Sequence, residues 1–282
     1  MDLAWITGAN GLIGNQLLRL APVPAPGWTV RGLTREDLDL TDHESVRRLF
    51  RQQQPRLILH CAALSKTQAC QANPPLARQL NVEVTTRLAE LAADIPFIFF
   101  STDLVFDGGQ GNYEETAPLN PLSIYAETKV AAEQIVRANP KHTVIRTSLN
   151  GGTSPTGDRG FNEEMRRVWQ NGRTLSLFTD EFRSPMAAAV TARAVWELVA
   201  HDQPGLYHVA GSQRLSRWQI GQLLAARWPQ LNPKIEPGSL TDYQGARRAP
   251  DTSLNCTKAQ NLLSFPLPGL AKWLAEHPAE SF

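Results

Sequence analysis

A tyrosine and a lysine stand four residues apart in Tyr125-Ala126-Glu127-Thr128-Lys129. On a helix such a pair shares one face, with Cβ atoms about 5–6 Å apart. A phenol has a pKa of about 10, too high for acid–base work at neutral pH. An ammonium beside it favours the phenolate and lowers that pKa. A lysine's three donors also suit a ribose hydroxyl. Upstream, Pro96-Phe97-Ile98-Phe99-Phe100-Ser101-Thr102-Asp103 reads as a buried strand ending in hydroxyls and a carboxylate. Ligands of open α/β sheets bind outside the carboxyl ends of the strands. A Thr102 hydroxyl placed there can bond a carbonyl while Tyr125 supplies a proton. The plainer reading of Ser101 and Thr102 is satisfaction of strand-end backbone groups, and a tyrosine and lysine at this spacing also meet by chance.

A second constellation opens the chain. Leu3-Ala4-Trp5-Ile6 runs into Thr7-Gly8-Ala9-Asn10-Gly11-Leu12-Ile13-Gly14, and then into a helical apolar pattern. Three glycines spaced three apart permit a tight turn and a close backbone approach. The helix behind them aims free N–H groups and a partial positive charge outward. This is a device for holding a diphosphate, with Gly8, Asn10, Gly11, Leu12, Ile13 and Gly14 as its candidate contacts. The spacing is G-x-x-G-x-x-G, not the commoner G-x-G-x-x-G. A glycine-dependent strand–turn–helix connection is the alternative.

The elements that must carry these groups follow from the apolar pattern. Strands are expected at Leu3–Ile6, Trp28–Leu33, Leu57–His60, Phe97–Phe100 and Thr143–Ile145. Helices are expected at Leu12–Leu20, Asp42–Gln53, Pro75–Ala93 and Tyr125–Ala138, the second opened by a Thr41/Glu44 capping box. Buried strands alternating with helices predict a doubly wound parallel sheet of α/β class over residues 1–147. After Thr147, Asn150–Gly157 reads as loop. Helices follow near Phe161–Gln170, Ala187–Ala200, Ser216–Trp228, Thr257–Leu263 and Leu267–Ala275, with strands at Leu175–Phe178 and Leu206–Val209. Residues 148–282 are expected to form a smaller, interleaved substrate region, with parts of 185–211 returning to the first domain.

The 282 residues carry a formal charge of +1, so nothing electrostatic favours nucleic acid or an acidic membrane. Hydrophobic and charged contents of 42% and 20% are those of an ordinary globular protein. No apolar stretch approaches the roughly 20 residues of a membrane span, and no signal peptide is expected. Cys61, Cys70 and Cys256 form no CxxC and leave an odd count, which fits a reducing, cytoplasmic setting. No cluster has metal-ligand spacing, so no metal is expected. Trp218, Trp228, Trp273 and His208 read as core rather than ligand platforms.

Together these residues resemble the extended short-chain dehydrogenase/reductase superfamily, over most of the chain. TGANGLIG is similar to its glycine motif, Tyr125 and Lys129 to its catalytic pair, and Ser101-Thr102 to its hydroxyl. Asn81 matches an asparagine of the helix flanking the site. His60-Cys61-Ala62-Ala63 resembles the stretch lining the cofactor, and Arg146-Thr147-Ser148 an R-x-S after the next strand. Within the superfamily the chain looks most like the dTDP-4-dehydrorhamnose reductases. Ser101-Thr102-Asp103-Leu104-Val105-Phe106-Asp107-Gly108 is similar to their S-T-D-Y-V-F-x-G, and Asp39-Leu40-Thr41-Asp42 to the segment beside the adenine. The resemblance implies hydride delivery from a reduced nicotinamide to a 4-keto sugar nucleotide. Tyr125 would donate the proton, Thr102 orient the carbonyl, and Lys129 lower the tyrosine's pKa and bind ribose. Cofactor contacts would include Arg35, Asp39, Leu40, Cys61, Ala62 and Ala63. Substrate contacts would include Ser65, Thr102, Asp103 and Arg183, the last directed at a diphosphate.

The departures fall on the substrate side. Leu104 stands where that family has tyrosine, Leu149 and Asn150 where it tends to have aromatics, and Gln68 and Gln71 where it has an acidic pair. No acid ends the second strand, where one would accept from a ribose 2′-hydroxyl. Arg35, with Arg31 nearby, suits a 2′-phosphate instead, so NADP(H) is favoured over NAD(H). Arg247-Arg248 could reach a sugar nucleotide or be solvated. A sugar-nucleotide epimerase stays open as an alternative. So does a cofactor-binding regulatory subunit, as in methionine adenosyltransferase. The expected partner is a small molecule, and a homodimer is allowed.

Overall fold

The computed structural model describes residues 1–21, 27–278, 280 and 282. Six parallel strands make the central sheet: β1 (Asp2–Thr7), β2 (Trp28–Leu33), β3 (Leu57–His60), β4 (Phe97–Thr102), β5 (Thr143–Thr147) and the short strand Leu206–His208. Their order across the sheet is β2, β1, β3, β4, β5, then Leu206–His208. The chain leaves β1 to one side for β2 and crosses to the other side for β3. That reversal opens a crevice beyond the carboxyl ends of β1 and β3, where such sheets hold ligands.

Period-two alternation along the strands builds two cores. Ala4, Ile6, Ile98 and Phe100 face one way, against α1 (Leu12–Leu20) and the helix Ala188–His201. Trp5, Ile58, Phe97, Phe99 and Val144 face the other way, among residues of the helices crossing from β2 to β5. Those that contribute are α2 (His43–Gln53), α5 (Val84–Leu91) and α6 (Ile124–Arg137); the short α3 (Thr67–Ala72) and α4 (Pro74–Arg78) lie between β3 and α5. A third core, with Trp169, Leu224, Trp228, Leu270 and Trp273, holds the C-terminal region together. Trp228 and Trp273 are buried there, while Trp218 is half-buried at the start of its helix.

Several expectations are corrected. α2 is capped by Asp42, whose carboxylate accepts from the Ser45 N–H at 3.1 Å. The Thr41 hydroxyl donates instead to Asp39 at 2.8 Å, so no Thr41/Glu44 box forms. The expected helix Pro75–Ala93 is interrupted: a π-helical segment, Gln79–Glu83, separates α4 from α5 and presses Asn81 into the interior. Such segments recur at functional sites. Within Asn150–Gly157, Asn150–Gly151 pairs with Met186–Ala187 as a short parallel strand pair. The helix expected over Thr257–Leu263 ends at Gln260. Sequence patterning also missed α3 and the strand Lys234–Gly238, which pairs in parallel with Thr174–Phe178, the strand expected at Leu175–Phe178. Lys234–Gly238 contains Pro237 and is mostly exposed, so it lacks a buried stripe.

Among the described residues no helix is long and apolar enough to cross a membrane. Nor does any cluster of three or more potential ligands there fit a metal ion.

Candidate active site

The glycine turn closes on the strand beside it. Gly8 has φ +67°, and a Cβ there would sit 2.7 Å from the Ala62 nitrogen and 2.9 Å from the Cys61 carbonyl carbon. A Cβ on Gly14 would collide with the Gly8 carbonyl oxygen. The Gly11 N–H donates to that oxygen at 2.8 Å. Gly11 then starts α1 with no side-chain cap, leaving first-turn N–H groups for a ligand. Leu12 is buried and Ile13 half-buried under the turn, whereas Asn10 is exposed at its crest. The cradle has the shape and donor set a dinucleotide diphosphate needs.

At the end of β2, Thr34 bonds Asp37 through its N–H and hydroxyl at 2.9 and 2.6 Å, closing a turn. Arg35 projects from this turn into solvent. Asp39 accepts from the Thr41 N–H and hydroxyl. These bonds, outweighing a smaller burial effect, hold its carboxyl below the usual range, and the charge of Arg35 acts the same way. Leu40 is half-buried beside it.

A hydrogen-bonded chain ties the cradle to the helix of Tyr125. Ala62 N–H donates to the Thr7 hydroxyl at 3.3 Å, and Thr7 Oγ1 lies 2.7 Å from His60 Nδ1. His60 Nε2 lies 3.1 Å from Thr85 Oγ1, whose proton goes to the Asn81 carbonyl at 2.8 Å. Thr85 can therefore only accept from His60, so Nε2 carries the proton and Nδ1 accepts from Thr7. Burial, helped by the nearby charge of Lys129, pulls the imidazole pKa down to about 3, consistent with this neutral tautomer. The Asn81 side chain brackets Leu64, accepting from its N–H at 2.8 Å and donating to its carbonyl at 3.1 Å. It also donates to Thr128, whose hydroxyl donates to the Tyr125 carbonyl at 2.7 Å. Asn81 is thus committed to holding α6 against the loop after β3.

Ser123 caps α6 by accepting from the Ala126 N–H at 3.3 Å. Tyr125 is half-buried on its first turn, and Lys129 is 2% exposed one turn on. Another turn along, Glu133 makes a two-pronged pair with Arg146 of β5. Arg146 Nε lies 3.0 Å from Oε1 and Nη2 2.7 Å from Oε2, with both side chains 1% exposed. Burial draws the Lys129 ammonium down to about 7, partly opposed by Glu133. The tyrosine corrects an expectation: its phenol pKa is raised, not lowered. Burial does most of this and the Asp103 charge adds to it, against smaller opposing effects of Thr102 and Arg183. A phenol held protonated suits a proton donor rather than a base.

Thr102 ends β4, where its hydroxyl accepts from the Leu104 N–H and donates to Asp103, each at 3.2 Å. Asp103 is wholly buried and accepts from both Arg183 Nε (2.6 Å) and Arg183 Nη2, and also from Ser148 and Thr252. Arg183 therefore leans on Asp103, its charge already matched. Beyond it, the buried carboxylate of Glu181 accepts from Arg217 Nε at 3.1 Å and Arg248 Nε at 2.6 Å. Burial opposes that carboxylate, but the arginines win and hold its pKa at about 2. Arg217 and Arg248 keep 22% and 32% of their side chains exposed, so this end of the network meets solvent as a guanidinium pair. Sequence reasoning missed Glu181 and Arg217; an acid flanked by dispersed arginines has no local signature. Ser65 is exposed on the loop before α3. Cys61 and Cys70 lie close enough to feel the Lys129 charge, and burial pushes both thiols up, so they stay uncharged.

The family model described as "RmlD substrate binding domain" matches residues 3–280. A dTDP-4-dehydrorhamnose reductase of Sinorhizobium fredii is 27% identical over 278 residues, covering 93% of this chain and 92% of its own. Methionine adenosyltransferase 2 subunit beta of Xenopus laevis is 27% identical over 277 residues, covering 92% and 82%. Among solved structures, a dTDP-4-dehydrorhamnose reductase of Bacillus anthracis in complex with NADP superposes with a TM-score of 0.88 at 24% identity. It covers 98% of this chain and 99% of that one. This likeness concerns the fold.

Proposed function

The chain belongs to the RmlD substrate binding domain family, among NAD(P)-dependent oxidoreductases of the extended short-chain type, and we propose that it reduces the keto group of a sugar nucleotide. The observation carrying this reading is that Thr102, at the carboxyl end of β4, bonds toward Tyr125 of α6, which packs on β4 and carries Lys129 one turn on, with β3 between this edge and the glycine cradle.

A bound nicotinamide would supply the hydride. The cradle of Gly8, Gly11 and Gly14 would hold its diphosphate, with the free N–H groups of α1 as donors. Cys61, Ala62 and Ala63 would line the adjoining wall, and Asp39 and Leu40 the adenosine end. Lys129 would bind the nicotinamide-side ribose hydroxyls. The Thr102 hydroxyl would turn from Asp103 to the substrate carbonyl oxygen. Tyr125, kept protonated by its surroundings, would deliver a proton to that oxygen as the hydride arrives at carbon. The paired guanidinium groups of Arg217 and Arg248, aligned by Glu181, offer charge-assisted donors for the substrate diphosphate. Arg183 contributes by orienting Asp103 beside the reacting groups. The exposed Arg35 supports NADP(H) over NAD(H), since it is free to meet a 2′-phosphate.

The test is oxidation of NADPH and of NADH against a panel of 4-keto dTDP-, GDP- and UDP-sugars. Turnover of at least one, faster with NADPH, is expected. Tight NADPH binding without turnover of any sugar would refute the reductase reading, and a clear preference for NADH would remove the role given to Arg35. A second reading, a cofactor-binding regulatory subunit, is favoured by the likeness to methionine adenosyltransferase 2 subunit beta over 92% of this chain and 82% of that one. Altered affinity or turnover of a methionine adenosyltransferase catalytic subunit on mixing, with no reductase activity, would decide for it.

A further inference from the structure

We infer that Phe99 is a positioning residue for Lys129: the face of its ring carries the lysine ammonium and fixes where that charge stands. The inference rests on Lys129 being the site's cation, as read above. Lys129 Nζ lies 3.9 Å from the centroid of the Phe99 ring, with both side chains buried. A cation at that distance is attracted by the negative face of the ring, more strongly where water is excluded.

The surroundings leave this contact much to do. Burial draws the ammonium towards neutrality, and a neutral lysine would lose both its charge and a donor. The groups facing it come from every neighbouring element. Glu133, one turn along α6, favours the charged form, but its carboxylate is bonded by both Nε and Nη2 of Arg146. Tyr125, one turn before, is held protonated. Cys61 after β3 and Cys70 on α3 are uncharged thiols. His60 lies alongside the Phe99 ring at 6.0 Å and is neutral. The ring face is therefore a stabilising partner that no other cation shares among the described residues. An aliphatic residue could fill this layer of the core, as Ile58 does on the same face of the next strand, and would offer the ammonium nothing.

The contact is tested on the whole protein without substrate. The chain has six lysines, so lysine labelled with 13C at Cε gives few resonances, and Lys129→Arg identifies the one that matters. Phe99 is replaced by 4-fluoro-, 3,5-difluoro- and 3,4,5-trifluorophenylalanine, which keep the ring's shape while draining its face of negative charge. The Lys129 midpoint should fall step by step, by about one pH unit for loss of most of the attraction, a tenfold change in its protonation equilibrium. The same series at Phe97 is the control. That ring lies on the same strand and face but has His60 and His142 as neighbours, at 5.6 and 5.5 Å. It should leave the midpoint unmoved. A constant midpoint across the Phe99 series, or an equal fall across the Phe97 series, overturns the inference. Because no sugar or nicotinamide enters the measurement, failure of the reductase reading would not produce either result.

Discussion

Replacing Glu133 by glutamine strips Arg146 of its charge partner while changing the side chain's volume little. The pair is 1% exposed on both sides and joined by N–O contacts of 3.0, 3.2 and 2.7 Å. What remains around the guanidinium is the Glu115 carbonyl at 3.3 Å, His208 Nε2 at 3.3 Å and the Phe106 ring with its centroid at 5.2 Å. His208 is kept neutral by burial and by Arg146 itself, with a pKa of about 3, so none of these neighbours carries a compensating charge. Breaking a buried pair from one side costs about 3–5 kcal/mol. For a chain of this size that is a fall in Tm of roughly 5–8 °C. Urea denaturation followed by tryptophan fluorescence and by circular dichroism gives the free energy, with coincident transitions as the check on two-state behaviour. Removing both charges, as Glu133→Leu with Arg146→Met, should recover most of the loss, because desolvation of both ions is then avoided. A Glu133→Gln cost below about 1 kcal/mol would refute the reasoning, since breaking a truly desolvated pair cannot be that cheap. So would a double variant less stable than the single one.

Three further outcomes are expected. Gly8→Ala puts a methyl against the Ala62 backbone at a φ of +67°, so stability should drop by about 1–3 kcal/mol and NADPH affinity, read by fluorescence titration, by well over tenfold; unchanged affinity would remove the cradle from cofactor binding. Tyr125→Phe should lower kcat on an accepted keto sugar by about 10²–10⁴ with little change in KM, and near-intact turnover would end its role as proton donor. The fall of stability in acid should begin near pH 6.5. Burial holds His60 and His208 at about 3 in the folded chain against an ordinary value of 6.5, so the unfolded chain takes up protons first. Stability is then lost as pH falls from about 6.5 towards 3, at up to roughly 1.4 kcal/mol per pH unit for each histidine. Equal urea midpoints at pH 7 and pH 5 would show that these imidazoles are not buried neutral.

The parts of the site legible in the sequence are those written in short spacings. Gly8, Gly11 and Gly14 had to sit together because a strand, a turn and a helix are contiguous in the chain. Tyr125 and Lys129 share a face because a helix repeats every 3.6 residues. The strands β2 and β3 and the helix α1 fall at their expected bounds because each is a clean apolar run or stripe. The misreadings have equally local causes. Thr41 and Asp42 are adjacent capping residues, and only the fold decides which one caps α2. The π segment at Asn81 obeys no periodicity, since it exists to bring one side chain to Leu64 and Thr128.

Alone, then, the order of residues determined a doubly wound α/β chain with a glycine turn opening its first helix and a tyrosine–lysine helix, because backbone geometry converts those spacings into placement. The tertiary structure decided the electrical state of the groups. The tyrosine's pKa rises although a lysine stands one turn away, because burial and the Asp103 carboxylate outweigh the favourable influences of Thr102 and Arg183. Arg183 is matched to Asp103 across 80 residues of chain, and Glu181 gathers Arg217 and Arg248 across 36 and 67. Desolvation and charge pairing depend on what is packed around a group, and contacts between residues so distant in the chain leave no pattern in it.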